Sequence, residues 1–76
     1  MPIKPVNLKI FLKIIEDFGF ELSRQKGSHM MYIKPGVKRS IVVPNKKTLS
    51  TTVLMSNLKT IGITVKEFEK LVDELR

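Results

Sequence analysis

Residues 24–29 read Arg-Gln-Lys-Gly-Ser-His, and His29 is the only histidine in the chain. Imidazole titrates near pH 6.5 when unperturbed, which suits it to accepting and donating protons at neutral pH. Arg24 and Lys26 place positive charge close by in sequence. Cleavage of an RNA phosphodiester calls for these groups: a base for the ribose 2′-hydroxyl, an acid for the leaving oxygen, and cations for the charge developing on the phosphate. The competing reading makes His29 a bystander beside a turn.

Other chemistries find fewer parts. With no cysteine, the chain has no thiol nucleophile, disulfide framework or Cys-based zinc site. One histidine, in a stretch from residue 22 to 66 without any Asp or Glu, cannot assemble a local set of metal ligands. Gly19, Gly27, Gly36 and Gly62 are scattered and form no phosphate-cradling G-x-x-x-x-G-K-[ST] loop. Ser28 adjoins His29, but neighbouring strand residues point to opposite faces, and no carboxylate lies nearby in sequence to orient a triad. No metal or organic cofactor is expected.

Charge supports an anionic partner. The chain carries a net +7, and its seven acidic residues all lie outside residues 22–66. Within that window stand Arg24, Lys26, Lys34, Lys38, Arg39, Lys46, Lys47, Lys59 and Lys66. A run of cations without compensating anions attracts polyanions, nucleic acid foremost, whereas a merely solvated surface mixes the two signs. The N-terminal segment lacks the apolar run of a signal peptide, and no stretch approaches a membrane span. The expectation is a soluble, cytoplasmic protein with no membrane partner, forming one domain over residues 1–76.

The elements that must position these groups follow from periodicity. Ile10, Phe11, Ile14, Ile15 and Phe18 recur at helical spacing, predicting a first helix over about residues 5–18, with Pro5 in its first turn and Gly19 at its C-terminal end. Residues 20–26 alternate as a half-buried strand does, and residues 29–35 and 39–44 predict two more strands around the turn Pro-Gly-Val-Lys, closed by Pro44. Ser50 or Thr51 caps a second helix with an apolar stripe of Leu54, Leu58 and Ile61, ending at Gly62. Thr64 and Glu67 have capping-box spacing before a last helix that buries Phe68, Leu71, Val72 and Leu75. The pattern is an α+β fold, α-β-β-β-α-α, with a three-stranded antiparallel sheet and the helices on one face. Met30, Met31 and Met55 are read as core filling.

A two-residue hairpin loop with glycine first is the type II′ signature. If Gly27 and Ser28 form that loop, Lys26 and His29 are direct cross-strand neighbours, with Cβ atoms about 4.5–5.5 Å apart. Regular alternation then puts Phe20, Leu22, Arg24 and Lys26 on one side with His29, Met31 and Ile33. That side is expected to be the core side, with Arg24, Lys26 and His29 emerging beyond the helices' edge as a small cationic pocket. Lys46 and Lys47, well away from the hairpin in sequence, are expected to hold RNA without sharing in the chemistry.

These residues resemble those of the HicA family of mRNA-interferase toxins. The resemblance spans nearly the whole chain and rests on the segment from Gly19 to Tyr32, on Ile-Val-Val-Pro with its basic loop, and on residues 49–68. It implies a fold like that of double-stranded RNA-binding domains, ribonuclease activity on mRNA, and a HicB-type antitoxin as partner. The family's catalytic histidine corresponds to His29, and Gly27 and Ser28 match the turn before it. RNA-binding roles for Arg24 and Lys26 come instead from their charge and position. Many members carry a second histidine after the Val-Pro pair, where this chain has Asn45, Lys46 and Lys47, and a Gly-Thr pair where it has Thr51 and Thr52. A lysine or water is then left as the second proton-transfer group. The leading reading is a metal-independent toxin endoribonuclease. A non-catalytic RNA-binding module and a basic face that docks an acidic protein are the alternatives.

Overall fold

The computed structural model describes residues 4–76. Its elements run β1 (Val6–Asn7), α1 (Leu8–Asp17), β2 (Glu21–Lys26), β3 (His29–Lys34), β4 (Val37–Pro44), β5 (Thr48–Leu49), α2 (Thr51–Ile61) and α3 (Val65–Leu75). The fold is α+β: β2, β3 and β4 form an antiparallel sheet with β3 in the centre, and β1 and β5 pair as a separate two-stranded ribbon.

The first helix begins later than Pro5. Val6 and Asn7 pair with Leu49 and Thr48, and the Asn7 side chain then accepts the Lys9 N–H at 2.8 Å as the helix cap. At the other end, Gly19 and Phe20 donate to the carbonyls of Glu16 and Ile15, so the chain reverses directly into β2. The last two helices start where their caps predict. Ser50 caps α2, and Thr64 with Glu67 makes a complete capping box for α3.

The core lies between the helices and one face of the sheet. Phe11, Ile14 and Ile15 of α1, Leu54 and Leu58 of α2, and Phe68 and Val72 of α3 are buried. Phe11 and Phe68 meet edge to face with ring centroids 6.0 Å apart, tying α1 to α3. From the sheet, Met30, Tyr32, Ile41 and Val43 face this core. The opposite face carries no helix.

That distribution corrects the expected faces. Met31 and Ile33 do not enter the core: Ile33 is 47% exposed and Met31 is half-buried on the open side, while Leu22 is 50% exposed. Of the three methionines read as core filling, only Met30 is buried, and Met55 lies exposed on α2. In the sheet, a β-bulge accommodates the difference. Arg24 pairs with Met31, but Leu22 pairs with Tyr32, so one extra residue, Ser23, interrupts β2 between them. The bulge inverts the phase of β2, so Phe20 and Leu22 belong to the helix side and Arg24 and Lys26 to the open side. Leu71 and Leu75 of α3 are also less buried than the stripe predicts, Leu75 being 40% exposed at the helix end.

Candidate nucleic-acid interface and the His29 groove

Gly27 has φ 58° and no described non-glycine residue has positive φ, so the Gly27–Ser28 loop has the type II′ pattern. Lys26 and His29 are consequently paired directly across the hairpin. On its other side His29 faces Pro44 of β4. His29 thus opens the central strand at one end of the sheet, with a lysine on one flank and the end of β4 on the other.

Arg24, Lys26 and His29, with Met31 and Val42, are among the residues lining a groove of about 520 Å³ on the open face. No carboxylate lines it. Arg24, Lys26 and His29 are exposed, so they can reach a ligand without the protein opening. Their place is the open face itself and not, as regular alternation implied, the rim of the core side.

The basic loop is closer than its sequence distance suggests. The Asn45 N–H donates to the Ser28 carbonyl, which ties the start of the loop to the hairpin turn. The backbone of the loop therefore starts beside the hairpin turn, although neither Lys46 nor Lys47 lines the groove. Among the described residues, the two ion pairs are Lys13 with Asp17 and Arg76 with Asp73, both outside residues 22–66. The cations around the groove are left available to an anion.

The sequence reading puts Met31 in the core and does not single out Val42. Val42 lies opposite the buried Ile41 and Val43, but three successive apolar residues give no alternation from which to choose it in the sequence. Met31 and Ile33 of β3 are likewise as apolar as the buried Met30 and Tyr32.

The family model for the HicA toxin of bacterial toxin-antitoxin pairs matches residues 9–63, more than two-thirds of the chain. The chain belongs to the HicA toxin family. The matched segment contains the hairpin, the groove and the basic loop, and it ends just before α3. No curated protein and no solved structure matches the chain. As a member of this family, the protein is a toxin of a toxin–antitoxin system. Among the described residues, no helix is long and apolar enough to cross a membrane.

Proposed function

We propose that this HicA-family toxin is an endoribonuclease that cleaves mRNA without a metal ion, that residues 1–76 act as one toxin domain, and that a HicB-type antitoxin neutralises it in the cytoplasm. The observation that carries the reading is a lone imidazole, directly opposite Lys26, in an open groove whose charged side chains are all cationic. Phosphate binding alone would be served as well by a lysine at position 29. Proton transfer at neutral pH would not.

In this mechanism His29, acting as base, takes the proton of a ribose 2′-hydroxyl. The oxygen attacks the adjacent phosphorus, the P–O5′ bond breaks, and the leaving oxygen takes a proton from a second group. The products are a 2′,3′-cyclic phosphate and a free 5′-hydroxyl. Lys26 and Arg24 stabilise the charge on the phosphate oxygens. Lys46 and Lys47 follow Asn45, whose N–H donates to the Ser28 carbonyl, and their proposed role is to hold further phosphates of the RNA. His29 serves equally as the acid if another group takes the first proton. The groove lining supplies one imidazole and no carboxylate, so a magnesium ion there would lack the one or two protein carboxylates that usually hold it.

Induction of the toxin alone in bacteria is expected to arrest growth and shorten mRNAs, with both effects lost in His29→Ala. Mass spectrometry of the fragments made in EDTA is expected to find 2′,3′-cyclic phosphate ends. Equal toxicity from a folded His29→Ala protein at equal abundance, or cleavage that EDTA abolishes and magnesium restores, would overturn the mechanism.

A further inference from the structure

The His29 groove does not end at β4. Val42, 44% exposed, lines it and also lines a second groove of about 340 Å³ between β4 and α2. The second groove is walled by Arg39 and Ser40 of β4 and by Thr52, Ser56 and Thr60 of α2. Those three helix hydroxyl residues stand four apart, so they form one row with a step of about 6 Å along the axis. Its lining includes one guanidinium and no carboxylate.

We propose that this second groove is an RNA subsite, in which Arg39 holds a phosphate and the α2 hydroxyls hold the ribose of a nucleotide flanking the cleaved linkage. The RNA then crosses the β4 edge over Val42, with its reacting phosphate at His29. This inference rests on the ribonuclease reading above and extends it to the path of the substrate.

Two observations favour RNA over an extended peptide added to the β4 edge. Strand addition needs the outward backbone groups of the edge strand. The Val42 carbonyl is already taken by the Asn57 side-chain amide at 3.4 Å, and Asn57 itself is buried between helix and strand. What the groove offers a ligand is therefore side chains: a guanidinium, which suits phosphate, and hydroxyls, which donate to and accept from sugar oxygens.

The test uses RNAs carrying a single 2′-deoxy substitution at the cleaved position, which removes the attacking hydroxyl, lengthened one nucleotide at a time on either side. Wild-type affinity is expected to rise in a step when one flanking nucleotide reaches the second groove. Arg39→Ala is expected to shrink that step about tenfold, the scale of one charge-assisted hydrogen bond. It should also lower the log–log salt slope for the longer RNA by about 0.7. Arg39→Glu should shrink the step further, and Ser56→Val by less than Arg39→Ala. Arg39 and Ser56 are exposed, so these proteins are expected to melt as the wild type does. If the wild type binds and cleaves RNA but the step survives Arg39→Ala and Arg39→Glu, the subsite is wrong and the ribonuclease reading stands. If the wild type neither binds nor cleaves RNA, both fall. Variants that keep the RNA step but lose affinity for the HicB-type antitoxin would make the groove a protein-docking surface, which also overturns the proposal.

Discussion

At the scale of single residues, the distinction that matters is between holding a phosphate and moving a proton. His29→Ala is expected to keep RNA affinity near the wild-type value and to lower single-turnover cleavage at saturation by about 10² or more, the usual scale for a general acid–base group. An equal loss in binding, with cleavage falling only in proportion to occupancy, would make His29 a binding residue. Tyr32 supplies a different residue-scale effect. Burial, and then the negative charge of Glu16, raise its phenol above the ordinary value near 10. The unfolded chain therefore loses this proton first as pH rises, and stability that is intact below pH 10 declines above it. Tyr32→Phe is expected to lose stability less steeply than the wild type as pH rises above 10. Parallel alkaline profiles for the two proteins would remove Tyr32 from the account.

Elements translate those residues into positions. The type II′ turn aims His29 at Lys26, and its first position has a backbone that side chains with a Cβ rarely adopt. Gly27→Ala meets no neighbouring atom within 4 Å, so its cost is conformational, about 1–2 kcal/mol. That loss is expected in urea unfolding, with cleavage reduced further because the strained turn moves His29 relative to Lys26. Thr64→Ala provides the contrast. It removes half of the α3 capping box, and Thr64 lines neither groove and lies outside the family-matched segment. The expected cost is about 1 kcal/mol of stability with single-turnover cleavage preserved. Cleavage that fell in Thr64→Ala and survived in Gly27→Ala would reverse the roles assigned to the two elements.

For the whole molecule, charge and topology act together. The end of the sheet places the start of the basic loop, just before Lys46 and Lys47, beside the hairpin turn. Replacing Lys46 and Lys47 with alanine is expected to flatten the salt dependence of RNA binding by about 1.4 in log–log slope if both contact phosphates of a single strand. The structure also alters what this variant should do to turnover. A loop remote from the hairpin would affect affinity alone, whereas a loop hydrogen-bonded to the Ser28 carbonyl should lower saturated cleavage too. Full turnover at saturating RNA in the double variant would show that the loop only captures substrate.

Local chemistry made much of this protein legible from its residues. Periodicity, caps and turn glycines found all three helices and the three-stranded meander, because Ser50, Thr64, Gly27 and Gly62 act on backbone within a few residues of themselves. The Lys26–His29 pairing was legible for the same reason, since a two-residue loop sets the register of the strands it joins. The pairing of Val6 and Asn7 with β5 was not, because two-residue strands have no period and their partner lies some forty residues away. Nor was the face on which His29 stands. On β3, Met31 and Ile33 are as apolar as Met30 and Tyr32, and the strand alone offers no basis for choosing the buried set. Packing chose, by seating Met30 and Tyr32 under the helices and absorbing the mismatch with Phe20 and Leu22 in the bulge at Ser23. Tertiary structure likewise decided that the basic loop lies beside the hairpin and that Val42 joins two grooves, because both depend on where β4 ends and how α2 lies along its edge.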